Sequence, residues 1–267
     1  MEIQLILAFL ALGAFTGFFA GLFGIGGGGI MMPVLTVIFL SLGYSEDLSI
    51  HMGLATSMAA IIPTAIASLR AHHAHNAVDW RAVKMLAPGI LLGTVSSAYI
   101  ATNLPAAPLA IFFSIFMAYV ALQMVLNKKP RPARSFPAWG ITASVGLVIG
   151  AVSAFVAIGG GTLTVPFLIW CSFALPRAIG TSAAVGLPIA VFGTLGYLIS
   201  GLNQDQLPEY TWGYIYWPAV VVMALLSTVT APIGARLTHS LPVASLKKYF
   251  ALLLMSLSLH MLWKMFG

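Results

Sequence analysis

Long apolar runs separated by short polar stretches make up nearly the whole chain. They fall at about 3–22, 30–43, 51–70, 82–102 and 106–126, and again at about 137–157, 162–175, 178–200, 213–236 and 245–265. Most have the roughly 20 residues a helix needs to cross a hydrocarbon core of about 30 Å. The runs at 30–43 and 162–175 do not; fourteen residues at about 1.5 Å each span about 21 Å. The pattern predicts an all-α polytopic membrane protein of 8–10 membrane segments.

Each short run follows a glycine stretch. The first reads Phe23-Gly24-Ile25-Gly26-Gly27-Gly28-Gly29, then Ile30-Met31-Met32-Pro33. A glycine in an ordered element costs about 0.5–1 kcal/mol relative to alanine. Five of them are no filler for a helix. They break it and leave backbone amides with no side chain in front.

The phrase returns 133 residues later as Ile158-Gly159-Gly160-Gly161-Thr162-Leu163-Thr164-Val165-Pro166, with Gly17 matching Gly150 at the same offset. Further on, Ala55-Thr56-Ser57 and Pro63 match Gly180-Thr181-Ser182 and Pro188 at an offset of 125. Leu104-Pro105 matches Leu241-Pro242. The chain thus reads as one transmembrane domain over 1–267, with one repeat at about 1–127 and a second at about 136–267.

Composition agrees. The chain is 60% hydrophobic and 7% charged, against about 25% charged in soluble domains. The net charge of +6 is explained by loop placement and does not suggest nucleic acid. Arg70, Arg81, Lys84, Lys128, Lys129, Arg131, Arg134, Arg177, Arg236, Lys247 and Lys248 all fall inside if those loops face the cytoplasm. Only Lys264 is then outside, together with Glu2, Glu46, Asp47, Asp205 and Glu209; Asp79 is the one acid inside. That separation places both termini outside. The first repeat then begins outside and the second inside, so the copies are inverted. Inverted repeats with discontinuous helices meeting near the midplane are a recurring plan of secondary transporters.

A helix N-terminus carries about half a positive charge and free N–H donors, a ready anion site. The helices beginning near Ile30 and Thr162 aim such ends at the glycine stretches. The expected substrate-binding set is Gly26, Gly27, Gly28, Gly29, Gly159, Gly160, Gly161 and Thr162, with Thr56, Ser57, Thr181, Ser182 and His51. Hydroxyls can donate to oxyanion oxygens or bond back to their own helix carbonyls. His51 either meets substrate, titrates, or sits at a helix start. His72, His73 and His75 read as a solvated loop cluster, and metal binding there lacks a nearby carboxylate other than Asp79. Gly13, Gly17 and Gly21 have the spacing of close helix packing. Arg70 and Arg236 suit snorkelling helix ends. No catalytic constellation, P-loop or cysteine pair is present (Cys171 stands alone), so neither an enzyme nor a cofactor is expected.

These twin motifs, the Thr-Ser phrases and the two-repeat length resemble the TauE/SafE family, the sulfite exporter or toluene-sulfonate uptake permease family. The resemblance covers nearly the whole chain. It implies a multipass inner-membrane permease for sulfite, sulfoacetate or related organosulfonates, with the glycine motifs and adjacent Thr-Ser pairs as binding elements. The second motif has Thr162 where the first has Gly29, so the site need not be symmetric. The mechanism expected is alternating access by a secondary carrier; a passive anion channel of the same architecture is the alternative. The partners expected are a small anion, the bilayer and a proton or other coupling ion, although no buried carboxylate stands behind proton coupling.

Overall fold

The computed structural model describes residues 3–126, 136–204, 207–238 and 243–266. The basic loop from Lys128 to Arg134, Glu2, Asp205, Leu241-Pro242 and the side chain of Lys247 lie outside the described residues. Among the described residues ten helices run α1 (Ile3–Phe23), α2 (Gly28–Ser41), α3 (Glu46–Ala74), α4 (Trp80–Thr102), α5 (Ala106–Leu126), α6 (Trp139–Phe155), α7 (Gly161–Trp170), α8 (Leu175–Gly201), α9 (Trp217–Leu237) and α10 (Val243–Phe266). The one addition to an all-α fold, among the described residues, is a short hairpin of β1 (Thr211–Trp212) and β2 (Ile215–Tyr216) before α9. Among the described residues, six helices (α1, α3, α4, α5, α8 and α9) are long and apolar enough to cross a membrane. The outer faces of all but α3 carry large apolar side chains such as Leu92, Ile115, Ile199, Val221 and Leu225 in the open. Water would not tolerate that much exposed apolar surface; lipid does. The chain is a multi-pass membrane protein.

Small residues decide which helices touch. A Cβ on Gly13, Gly17 or Gly21 of α1 would run into the backbone of Met223, Ser227 or Ala231 of α9. The rising register on both sides makes that pair parallel. On α4 and α6 the same device recurs, with Gly89 and Gly93 against Ala143 and Leu147, and Gly146 and Gly150 against Leu86 and Ile90. Without a hydrophobic drive between helices in lipid, such backbone approach is what selects partners. The sets α1–α9 and α4–α6, α3–α9 and α8–α4, and α2–α3 and α7–α8 all pack together. Each set maps onto its partner when the first five helices are exchanged for the last five.

At the centre α3 crosses α8. Gly193 of α8 faces Met58, while Gly180 faces Ala77 just past the end of α3, so the two run antiparallel. Arg70, Arg81, Lys84, Arg177 and Arg236 gather at the end of the bundle where α3 stops and α8 starts. Glu46, Asp47 and Glu209 lie at the other. Arg177 bonds Asp79 at 2.7 Å, and the same carboxylate caps α4 by accepting from the Ala82 N–H at 3.0 Å.

Candidate functional site

The two glycine turns meet beside the middle of α3 and α8. The N–H of Gly159 donates to the carbonyl of Ile25 at 3.1 Å. A Cβ on Gly26 would stand 2.7 Å from the Cα of Gly159, and one on Gly159 would stand 2.9 Å from the Cα of Gly26. Backbone touches backbone here, a contact that any side chain would block. Gly27 and Gly160, 133 positions apart, cap α2 and α7 at φ 79° and 76°. Those left-handed values favour glycine, since a Cβ there costs about 1–2 kcal/mol. Neither cap offers a side chain to the first-turn amides. Among the described residues, the N–H groups of Gly28, Gly29, Gly161 and Thr162 have no backbone acceptor outside their own helices.

The ends of the broken helices are held in matched fashion. His72 on α3 bonds the carbonyl of Gly21 from Nε2 at 3.1 Å, and the Tyr197 hydroxyl on α8 donates to the carbonyl of Ala154 at 2.9 Å. Gly21 and Ala154 are 133 positions apart, and His72 and Tyr197 are 125 apart.

A small cavity lies against the turns, lined by Gly24, Gly26, Thr64, Ser68, Gly159 and Gly186, with Ala20, Ala65 and Ala183. It has about 10 Å³ open to the centre of a water-sized sphere, room for one water. The Ser68 hydroxyl is buried there without a hydrogen-bond partner. The Thr64 hydroxyl bonds the carbonyl of Ala60 at 3.0 Å and the Ser227 hydroxyl at 2.8 Å. On the far side of the turns the corresponding space is filled. Ile189 presses on Gly160, Ile61 on Gly26 and Gly28, and Met58 on Gly193. The conformation described is therefore closed on one side of the crossing and narrowed to a water-sized pocket on the other.

The expected site residues divide into groups. Gly26 and Gly159 line the cavity. Gly27, Gly28, Gly160 and Gly161 build the turns around it, the last packed on the carbonyl of Gly24. Gly29 faces Met117, and Thr162 is half-buried. Ser182 donates to the carbonyl of Gly24 at 3.0 Å, so it supports the first turn directly. Its counterpart Ser57 is buried with its hydroxyl unpartnered. Thr181 accepts from the Asp79 N–H at 2.9 Å and Thr56 from the Tyr216 N–H at 3.1 Å. Each of these threonines fastens the start of the fourth helix of the opposite half, α4 or α9.

His51 lies about 20 Å from Thr64 along α3. Its Nδ1 faces the carbonyl of Asp47 at 2.6 Å, its Nε2 faces that of Ala101 at 3.1 Å, and its ring stacks on Tyr214. A neutral imidazole has one N–H and makes one of these bonds; only the imidazolium makes both. With Asp47, Asn103, Gln204 and Tyr214 it lines an open pocket of about 410 Å³ at the acidic end. Burial, and then the charge of Asp47, push the Tyr214 phenol above its ordinary range.

The histidine cluster differs from its solvated-loop reading. His72 and His73 belong to the last turn of α3, and the three rings diverge. His72 is buried against α1, His73 meets Trp80 edge-on, and Nδ1 of His75 bonds the carbonyl of Ala71 at 2.8 Å. No group of three metal-ligating side chains converges among the described residues. Thr64, Ser68 and Gly186 were missed by sequence reasoning, because none belongs to a repeated phrase. The spacing of Thr64 and Ser68, four apart on the helix after the first Thr-Ser pair, was the available signal.

The family model for the sulfite exporter TauE/SafE matches residues 9–261. A "Probable membrane transporter protein" of Haemophilus influenzae is 36% identical over 97% of this chain and 98% of its own. A protein of the same description from Xylella fastidiosa is 26% identical over 99% of this chain and 97% of its own. One from Methanocaldococcus jannaschii is 25% identical over 98% and 97%. No solved structure matches. With glycine turns, helix order and family match spanning the same stretch, the chain belongs to the TauE/SafE family of membrane transporters.

Proposed function

We propose that the protein is a secondary carrier of a small sulfur-containing anion, sulfite or an organosulfonate such as sulfoacetate, across the inner membrane. The observation that carries this is the meeting of two bare-backbone turns, just before the starts of α2 and α7, beside a cavity lined by Gly24, Gly26, Gly159 and Ser68, whose hydroxyl is unpartnered. Amide dipoles and hydroxyls stabilise an oxyanion without the desolvation cost of a buried lysine or arginine. The word sulfur comes from the family; the geometry supports only an anion.

The two five-helix halves are read as inverted repeats, as the antiparallel crossing and the exchangeable packing pattern support. Transport then requires the Ile61, Ile189 and Met58 plug to part on one side while the Ser68 side closes on the other. Such rocking about a fixed site is the alternating-access scheme. The gathering of basic side chains at one end supports a cytoplasmic placement for that end, hence both termini outside and the Ser68 side inward. Ser182 belongs to the site as a support; Thr56, Thr181 and His51 hold helix ends.

The test is counterflow in proteoliposomes with labelled sulfite and sulfoacetate. A carrier gives saturable uptake that unlabelled substrate on the opposite side accelerates. Flux that neither saturates nor is accelerated favours the channel reading. Absence of flux for every sulfur anion tried refutes both.

A further inference from the structure

A second site lies on the surface of the bundle. Between α3 and α9, at the basic end, a groove of about 590 Å³ is lined by Arg70 and Arg236 over an apolar floor of Pro63, Ile66, Ala67 and Pro232. Both arginines are exposed, and neither pairs with a described carboxylate. Glu46, Asp47 and Glu209 are at the other end of the bundle, and Asp79 is taken by Arg177. Two guanidinium groups sharing one groove with no counter-charge call for an external anion.

The groove is separate from the glycine crossing. The groove and the central cavity share no lining residue. On α3, residues 63, 66, 67, 70, 71 and 74 face the groove, while Ala65 and Ser68 turn away from it and Thr64 sits at its flank beside Ala71, at about 100° per residue.

Its polarity also has a direction. The charges sit at the helix ends, while the apolar floor runs from Arg70 back to Pro63, about 10 Å toward the helix middle. A free anion would use only the first part. A phospholipid would use both, with its phosphate on the arginine pair and an acyl chain along the floor. Basic pockets between membrane helices near the cytoplasmic leaflet recognise such headgroups, and the planar guanidinium matches a phosphate fork. We infer that Arg70 and Arg236 hold the phosphate of an anionic phospholipid lodged between α3 and α9. The inference rests on the groove alone and stands whatever the transported substrate.

The experiment uses the full chain in neutral detergent micelles. Its melting temperature and its native mass spectrum are followed on titration with phosphatidylglycerol, phosphatidylcholine or inorganic phosphate. Phosphatidylglycerol should raise the melting temperature and appear as a bound adduct, while the other two should not. Arg70→Gln with Arg236→Gln should weaken phosphatidylglycerol about thirty-fold, taking about 1 kcal/mol per basic group. The pair R70K and R236K keeps the charge and should stay within about tenfold of wild type; it also serves if the glutamine pair fails to fold. Arg81→Gln with Lys84→Gln, at the same end but outside the groove, should leave binding unchanged. Equal binding by the glutamine pair overturns the inference, or equal binding by the lysine pair and the R81Q/K84Q control with each weakened alike. Stabilisation by inorganic phosphate matching that of the lipid also overturns it, in favour of a free-anion site.

Discussion

Adding one methyl at Gly159 probes the crossing directly. The Cβ of Gly159→Ala would stand 2.9 Å from the Cα of Gly26, 3.2 Å from its nitrogen and 3.3 Å from the carbonyl oxygen of Ile25. All three are main-chain atoms, with no flexible side chain to swing aside, and the substitution must push apart the two turns that the Gly159–Ile25 bond joins. Overpacking of this kind costs about 1–3 kcal/mol. At about 2–4 °C per kcal/mol, a chain of this size should lose about 2–12 °C of melting temperature. Two other alanines calibrate the result. Gly140→Ala meets nothing within 4 Å on α6 and should be neutral or stabilise by up to about 1 kcal/mol. Gly43→Ala is also in open space but at φ +88°, so it reports backbone strain alone, about 1–2 kcal/mol. Gly26→Ala combines strain with the contact and should be the worst of these four changes. The double G26A/G159A should cost less than the sum, because the first methyl already opens the gap that the second needs. The assay is thermal unfolding in detergent, paired with counterflow. A Gly159→Ala protein as stable and as active as Gly140→Ala would refute the reasoning.

Ser68→Ala removes a buried hydroxyl without a partner. It should leave stability unchanged or raise it by about 1 kcal/mol, yet raise the half-saturation concentration for the anion in counterflow; unchanged transport would detach the cavity from function. Ser182→Ala breaks the 3.0 Å bond to the Gly24 carbonyl and should cost about 1–3 kcal/mol, whereas Ser57→Ala at the matching position should cost almost nothing in the same melts. Thr56→Val and Thr181→Val each strand a main-chain N–H and should each destabilise by about 1–3 kcal/mol; a neutral result for either would show that its bond does not anchor α9 or α4. The Tyr214 phenol, in the turn before α9, is raised above 10.0 by burial and then by Asp47. The stability it contributes is complete below pH 10.0 and is lost as pH climbs through the raised value. The ultraviolet titration of wild type minus Tyr214→Phe should show that late ionisation, and an ordinary midpoint would contradict the burial.

Much of the candidate site's backbone geometry was legible because glycine inside an apolar run has few other uses. The phrases around Gly27 and Gly160 pointed to broken helices, and both residues are indeed left-handed caps. The small-residue ladder Gly13, Gly17 and Gly21 pointed to close packing, and its partner is α9. The hydroxyls were harder. Thr56 and Ser57, or Thr181 and Ser182, look alike as repeated phrases, yet neighbours one residue apart point about 100° from each other on a helix. Ser182 therefore turns to the first glycine motif while Thr181 turns to the start of α4. Thr64 and Ser68 belong to one half only, so repetition could not mark them.

What the amino-acid sequence determined alone was the succession of apolar helices, the two places where they break, and the family. Those follow from local chemistry: apolar run length, and the cost of glycine and of a Cβ at positive φ. How each helix is rotated about its axis was decided only by tertiary structure. In a chain that is 60% apolar, lipid and protein interior are nearly equivalent neighbours, so amphipathic patterning marks no inward face. Backbone contacts at Gly26 and Gly159, and at the ladders of α1 and α6, select that rotation. They determine which hydroxyl meets the cavity, which one latches a helix end, and which arginines come to share a groove.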